Sequence, residues 1–244
     1  MKWIGTLVIA FLSCAPAMGA TVYTTGFEQG EGYTLGDLNG QQGWVADSYP
    51  GDCVVQNVTY SAGSAAMQVL ADGTYDPQNP GLRLGAFHTF ADPTGANPVV
   101  TFLQDVRITA TNEADYLLSP GFWDSNTGSI SFRSYVLFDY LGNIFVNGTD
   151  SNYDWTANTW QTVKVVMDFS TGKADVFYGT TQIATDANFT STGPLNAIVY
   201  ATDDYYYSGS SMFVDEVNIT ATPEPLSLGL VALGGLGLLR RRRK

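Results

Sequence analysis

The chain has 244 residues, of which 23 are acidic and 11 basic, and its net charge at neutral pH is −12. Six cations lie in the first two and last five positions, so the segment 21–222 carries 22 acids against five cations, a net charge of −17. A surface of that sign repels phosphate backbones, which excludes nucleic acid as a ligand. It attracts cations, and calcium is the one that carboxylate-rich extracellular modules bind.

The first 20 residues predict a secretory signal peptide. MKW supplies the positive n-region, IGTLVIAFLSC the apolar h-region and APAMGA the small residues before a cleavage site after Gly19 or Ala20. Without this segment Cys53 is the remaining cysteine, which excludes an intramolecular disulfide and a zinc cluster. We expect Cys53 to be a small buried apolar side chain.

Short runs of alternating apolar and polar residues follow one another through the middle of the chain, with no convincing amphipathic helix. In TWQTVKVVMDF, Val163, Val165 and Met167 share one face of a predicted strand. The turn STGK, where Gly172 can take a positive φ, leads into ADVFY. The spacing of these runs, roughly 8–15 residues, predicts one all-β sandwich. The other strand candidates are SAAMQVL, GLRLGAFHTF, PVVTFLQDVRIT, SISFRSYVLFDY, GNIFVNG, LNAIVYAT and SSMFVDEVNIT.

Three stretches resemble concanavalin A-like (LamG-like) jelly rolls: FEQGEGYTLGDLNGQQGW, GSAAMQV and WQTVKVVMDFSTGKADVFYGTTQIA. In that group a tryptophan opens a strand, a hairpin with a Thr-Gly turn follows, and an aromatic-Gly pair begins the next turn. Trp160, Thr171-Gly172 and Tyr178-Gly179 fit this order. The resemblance implies a single jelly-roll β-sandwich of antiparallel strands over residues 21–221. The fold hosts lectins, hydrolases and adhesive modules alike, so function must be argued from the site.

One carboxylate in the last predicted strand has an unusual position. In FVDEVNIT, Asp215 has the same parity as Phe213, Val217 and Ile219, which would aim it toward an apolar face. Burial of an unpaired carboxylate is costly, so Asp215 needs hydrogen bonds, an arginine or a metal. One interpretation is a structural calcium site that joins the first and last strands, with Glu28 and Asp215 as ligands. The other is a carboxylate capped by backbone N–H groups or placed at the sandwich edge in water.

Residues for catalysis are scarce. A glycoside hydrolase of this fold needs two carboxylates about 5–10 Å apart, and the laminarinase-type members carry Glu-x-Asp-x-x-Glu along one strand. The nearest match begins at Glu113 and lacks the final carboxylate, while the neighbours Asp215 and Glu216 should face opposite sides of a strand. His88, the one histidine, alternates with aromatics in GAFHTF and is expected to pack. We therefore expect a protein that is not an enzyme, with a divergent glycoside hydrolase as the alternative.

Several aromatic residues lie outside the core alternation and are candidates for carbohydrate binding. Sugar rings present apolar C–H faces that stack on aromatic planes, while nearby polar groups bind the hydroxyls. Three consecutive tyrosines cannot share one strand face, so at least one should be exposed. The other interpretation is that these residues cap the ends of the sandwich in a purely structural or adhesive protein. The candidates are Trp123, Trp155, Tyr205, Tyr206 and Tyr207.

The C-terminus, TPEPLSLGLVALGGLGLLRRRRK, reads as a sorting segment. Its uncharged apolar run, 226–239, would span about 21 Å as a helix, short of a ~30 Å hydrocarbon core. A Pro-Glu-Pro, a short Gly-rich apolar run and a basic terminus, in this order, resemble the PEP-CTERM sorting signal of Gram-negative-type bacteria. The resemblance implies a short transmembrane helix in the inner membrane, an exosortase-type enzyme that recognises Pro223, Glu224 and Pro225, and delivery to the cell surface or extracellular matrix.

The sequence therefore predicts three segments. Residues 1–20 form a signal peptide, 21–221 a β-sandwich and 222–244 the sorting and anchor segment. The predicted product is an exported bacterial surface or matrix protein whose sandwich is non-catalytic and contacts extracellular polysaccharide.

Overall fold

A computed structural model describes residues 19–46, 53–71, 82–95, 98–110, 114–203 and 210–222. Seventeen strands and two single-turn 3-10 helices, Gln29–Glu31 and Gln41–Gly43, lie within these ranges. The strands are β1 (Ala20–Thr25), β2 (Gly36–Asp37), β3 (Trp44–Ala46), β4 (Cys53–Gln56), β5 (Ala66–Leu70), β6 (Leu82–Thr89), β7 (Val99–Ile108), β8 (Tyr116–Asp124), β9 (Ser129–Phe132), β10 (Val136–Phe138), β11 (Asn143–Val146), β12 (Thr149–Asp154), β13 (Gln161–Asp168), β14 (Lys173–Tyr178), β15 (Thr181–Asn188), β16 (Ala197–Asp203) and β17 (Ser211–Thr222).

The strands form two antiparallel sheets that pack as a sandwich. The first sheet has the order β15-β14-β13-β7-β17-β5-β4-β2, with β1 also paired to β17. The second has the order β12-β11-β10-β8-β16-β6-β3, with β9 also paired to β8. The predicted all-β sandwich of antiparallel strands is confirmed. The first and last described strands, β1 and β17, are neighbours.

Most of the predicted signal peptide and sorting segment, 1–18 and 223–244, lies outside the described residues. Within the part of the chain that the structure describes, no helix has the length and apolar character needed to cross a lipid bilayer.

Core packing follows the alternation in the sequence. Val163, Val165 and Met167 of β13 are each at most 1% exposed, as predicted, and Gly172 in the following turn has a φ of 69°. Each large apolar side chain that is fully buried contributes about 1.5–3 kcal/mol to folding. His88 packs as expected, because its ring stacks on Tyr23 at a centroid distance of 4.2 Å. Burial lowers the pKa of His88.

A bulge divides the run SISFRSYVLFDY, which the sequence predicts as one strand, into β9 and β10. Both strands pair with β8, but the segment 133–135 opposes only Ser119 and Pro120. Pro120 has no N–H group to donate to the ladder, although its carbonyl accepts the N–H of Arg133 at 2.9 Å. The extra residue breaks the alternation, so the consecutive side chains Arg133 and Ser134 are both buried, at 1% and 0% exposed.

A second bulge interrupts β17 between Asp215 and Asn218, where Glu216 has a φ of +51°. Val217 and Ile219, beyond the bulge, belong to the core cluster between the sheets. Phe213, before the bulge, lies outside this cluster and pairs with Arg107 on the outer face. The prediction that Asp215 shares a face with Val217 and Ile219 is therefore wrong, because the inserted residue reverses the parity.

Candidate functional site

Asp215 is fully buried, and backbone N–H groups cap its carboxylate. Oδ2 accepts the N–H groups of Ser61 at 2.8 Å and Ala62 at 3.1 Å, and Oδ1 accepts that of Glu216 at 2.8 Å. Burial raises the pKa of Asp215, although these hydrogen bonds act in the opposite direction. Capping by backbone N–H groups, one of the interpretations that the sequence allows, is therefore present at Asp215.

Glu28 holds the other end of the same loop. Its Oε1 accepts the N–H groups of Ser64 at 2.6 Å and Ala65 at 3.1 Å, and Oε2 accepts the Ser64 hydroxyl at 2.5 Å. These hydrogen bonds, those from Ser64 foremost, lower the pKa of Glu28. The loop 61–65 lies where one edge of β17 changes partner from β5 to β1. The two carboxylates thus fasten backbone that no strand pairs with.

Three more acids lie near this pair, and we call the whole group the acidic seam: Glu28, Glu31, Asp105, Asp215 and Glu216. Burial raises the pKa of Glu216, and the charges of the other four members raise it further. A methyl group built at Gly26 would lie 3.3 Å from Glu216 Oε1 and 3.8 Å from Asp215 Oδ1. The two neighbours therefore converge instead of facing opposite sides as expected, because of the bulge.

No group of three or more His, Cys, Asp or Glu side chains in the described part of the chain has the geometry of a metal site. Calcium binding by Glu28 and Asp215 stays a prediction. Their oxygens already have N–H and O–H donors, so a cation would have to share or displace these hydrogen bonds.

Trp155 is only 5% exposed, and its indole N–H donates to the Asp139 carbonyl at 3.0 Å. It belongs to the core cluster and presents no open face to a ligand, contrary to the expectation that it lies outside the core. The ring enters the core from the turn that follows β12, where strand alternation does not apply. The other candidates, Tyr205 to Tyr207, lie outside the described residues.

Trp123, by contrast, is half-buried on the outer face of the second sheet. Its ring lies 4.7 Å from that of Phe87, at an interplanar angle of 32°. Asn196 holds its backbone from both sides, accepting the N–H at 2.8 Å and donating to the carbonyl at 3.1 Å. Ile130 and Phe132 of β9 pack against the same cluster. We call these four residues, Phe87, Trp123, Ile130 and Phe132, the aromatic patch.

A pocket of about 430 Å³, the Arg133 pocket, lies where the chain continues from Phe132. The hydroxyls of Thr190 and Ser191 both donate to the Phe132 carbonyl, so the wall of the pocket is joined to the aromatic patch. Strand alternation does not single out Arg133, and the one sign of it in the sequence is a lone cation within the aromatic-rich run SISFRSYVLFDY. The lining includes Arg133, Phe169, Asn188, Phe189, Thr190 and Thr192.

A second, polar cleft adjoins the Arg133 pocket. Its volume is about 460 Å³, and it lies between the edge strands β12 and β15 of the two sheets. Asn188 lines both hollows, and Asn147 links them by donating to the Asn188 carbonyl at 2.8 Å. This end of the sandwich therefore has aromatic rings, amides and hydroxyls in one continuous surface.

The sequence matches no protein-family model and no curated protein. Among solved structures the chain is similar to a sialidase, with a TM-score of 0.51 and 12% identity over 74% of this chain and 17% of the sialidase. It is also similar to the GH131 β-glucanase catalytic domain from Podospora anserina, with a TM-score of 0.46 and 13% identity over 70% of this chain and 81% of that one. A third similar structure is the CBM22-1 xylan-binding domain of Paenibacillus barcinonensis Xyn10C, with a TM-score of 0.40 and 14% identity over 86% of this chain and 98% of that one. At 12% identity, the likeness to the sialidase shows the β-sandwich fold alone.

Proposed function

We propose that this protein is a non-catalytic, carbohydrate-binding β-sandwich that is exported to the bacterial cell surface or extracellular matrix. The observation that carries the proposal is the half-buried Trp123 of the aromatic patch, together with the Arg133 pocket whose wall is joined to the patch at the Phe132 carbonyl. A sugar has apolar C–H faces and a rim of hydroxyls, so it needs an aromatic plane next to hydrogen-bonding groups. The aromatic patch provides the plane, and the Arg133 pocket that continues from Phe132 provides the hydrogen-bonding groups.

The Trp123 ring is held in place before any ligand arrives. Phe87 supports one side of it, and Asn196 makes two hydrogen bonds to the Trp123 backbone. A side chain that is already ordered loses little conformational entropy on binding, which favours affinity. Rigid support of this kind suits a binding surface better than a passive cap at the end of the sandwich.

The position of the carboxylates favours binding over hydrolysis. A glycoside hydrolase needs two carboxylates on either side of the bond that it cleaves. The acidic seam belongs to the first sheet and β1, whereas the aromatic patch covers the outer face of the second sheet. A sugar stacked on Trp123 would therefore lie on the opposite face of the sandwich from the seam. The alternatives are a divergent glycoside hydrolase that uses the seam, or a purely structural or adhesive protein.

Export and sorting complete the proposal. Residues 1–20 would act as the signal peptide, and the segment 222–244 would anchor the chain in the inner membrane until an exosortase-type enzyme acts at Pro223, Glu224 and Pro225. Support comes from the order of the three features at the C-terminus: Pro-Glu-Pro, the short apolar run and the five terminal cations.

The test is binding of the full chain, purified in mild detergent, to an array of polysaccharides with calcium and with a chelator. We expect specific, saturable binding that Trp123→Ala weakens by about tenfold or more, since one stacked ring contributes about 1–3 kcal/mol. Trp160→Ala is the matched control, because Trp160 is also half-buried but borders a pocket on the first sheet. Absence of binding to any polysaccharide would favour the structural or adhesive alternative. Release of reducing ends would favour the hydrolase.

A further inference from the structure

Arg133 is a buried cation whose hydrogen-bonding capacity is only partly used. The side chain is 1% exposed, and its Nε and Nη2 both donate to one acceptor, the Pro194 carbonyl, at 3.1 and 2.9 Å. A guanidinium carries five N–H groups in a planar fork. Among the described residues no other acceptor and no carboxylate partner contacts this side chain. Three N–H groups therefore remain for a ligand.

The electrostatic surroundings favour an anion at this point. Burial lowers the pKa of Arg133, and the charge of Asp92 opposes that effect from a distance. A buried charge without a close partner is costly, and an anion that brings two oxygens removes the cost. A second cation, Lys173, donates from its Nζ to Oδ1 of Asn188, a residue that lines the pocket, at 2.6 Å. Of the five cations between residues 21 and 222, Arg133 thus lines the pocket and Lys173 contacts one of its lining residues.

The shape and lining of the pocket suit a sugar ring. Its volume of about 430 Å³ falls within the usual range of ligand pockets, about 300–1,000 Å³. Phe169 and Phe189 contribute two rings with centroids 5.0 Å apart. Thr192 contributes an exposed hydroxyl at the rim. A cation, an aromatic wall and hydroxyl groups are therefore present in one hollow.

We propose that the Arg133 pocket binds the carboxylate of an acidic sugar, a uronic acid residue within a polysaccharide. The fork of Arg133 pairs with both carboxylate oxygens, and the ring of the sugar packs on Phe189. This inference rests on the proposed function, and it names the class of polysaccharide. The charge of −17 on the segment 21–222 repels an acidic polymer at long range, so binding of a uronate in the pocket requires enough salt to screen this repulsion.

The test compares polygalacturonate with its carboxyl-reduced form, a neutral polymer of the same linkage, on the full chain in about 0.15 M salt. We expect the acidic polymer to bind about ten- to a hundredfold more tightly. Thr192→Glu places a competing carboxylate at the rim and should abolish that preference. Thr192→Gln, which introduces a side chain of the same size without the charge, should retain it. Arg133→Gln should also abolish it, and its melting temperature is measured in parallel because the Pro194 carbonyl loses its donors.

Two sets of outcomes separate this inference from the proposed function. Equal binding of the two polymers, binding of the neutral one alone, or equal affinities of Thr192→Glu and Thr192→Gln would overturn the uronate site and leave carbohydrate binding intact. In that case Arg133 serves only to hold the loop through Pro194. If neither these polymers nor any neutral polysaccharide binds, both proposals fail.

Discussion

The carboxylate of Asp215 in β17 accepts the backbone N–H of Ser61 at 2.8 Å, across 154 residues of chain. The contact lies where β17 leaves β5 and begins to pair with β1. The N–H groups of Ser61 and Ala62 have no strand partner there, and Asp215 takes the place of one. A single side chain thus closes a gap in the ladder of the first sheet.

Replacement of Asp215 by alanine should lower the free energy of unfolding by about 1.5–3 kcal/mol, because three N–H groups lose a charged acceptor in a buried place. Asp215→Asn, which retains one acceptor oxygen, should fall between alanine and wild type. Urea denaturation followed by fluorescence measures the difference. An alanine variant as stable as the wild type would contradict this role.

The wild type and Asp215→Ala also test the calcium prediction. Calcium held by Glu28 and Asp215 would raise the melting temperature of the wild type and leave that of Asp215→Ala unchanged. Identical melting curves of the wild type with calcium and with a chelator would contradict the calcium prediction. The two carboxylates would then serve only as acceptors for backbone N–H groups.

Glu28 should stabilise the fold in its ionised form. Its pKa is lowered in the folded state, so its contribution is present above the ordinary glutamate pKa and is lost as pH falls through the lowered value. Glu28→Gln should therefore be less stable than wild type at pH 7, by no more than about 1 kcal/mol because the carboxylate is in contact with water. The difference should disappear in acid, which melting curves from pH 7 to pH 3 would reveal. A difference that does not change with pH would refute the charge-based explanation.

Ionisation of Glu216 should have the opposite effect on stability from ionisation of Glu28. Its pKa is raised, so protonation favours the folded state, and the wild type loses stability as pH rises through the raised value. At pH 7, Glu216→Gln should be more stable than wild type by less than about 1 kcal/mol, because the group is exposed. In acid the two proteins should be equally stable. Glu216→Asn should add a benefit at every pH, because asparagine tolerates the φ of +51° better than glutamate. A lower melting temperature of both variants at pH 7 would contradict this account.

Trp155 should contribute mainly to stability, and Trp123 mainly to polysaccharide binding. Removal of the 5% exposed Trp155 ring by Trp155→Ala should cost about 3–5 kcal/mol of stability, as for other buried aromatic residues. Trp123→Ala should cost less, because the ring is only half-buried, and should act mainly on polysaccharide binding. Denaturation of both variants gives the comparison. Equal losses of stability would place Trp123 in the core as well.

Deletion of residues 223–244 should release the sandwich into the periplasm or medium of a host that has an exosortase, because anchor and recognition motif are both lost. Cell fractionation and immunoblotting follow the protein, and replacement of Pro223, Glu224 and Pro225 by alanine tests recognition without removal of the apolar run. Normal arrival of the truncated protein at the surface would contradict the sorting role.

Local sequence determined the strands of this protein, because alternation and turn residues act over a few positions. Val163, Val165 and Met167 are buried as the alternation predicts, and Gly172 takes the positive φ that its turn requires. His88 likewise packs among the aromatics with which it alternates. The all-β sandwich follows from such local patterns, since strands of this spacing bury their apolar faces by stacking two sheets.

Only the tertiary structure decided the sites, because each depends on a contact between distant segments. The bulge at Glu216 reverses the parity of Asp215, and Ser61 reaches it from across the first sheet. Arg133 reads as an ordinary outward strand residue until Pro120 opposite interrupts the ladder. The loop that contains Pro194 then closes over its guanidinium, 61 residues further along the chain. Period-two alternation carries no information on which strand lies opposite, so neither the capped carboxylate nor the buried cation could be read from the sequence.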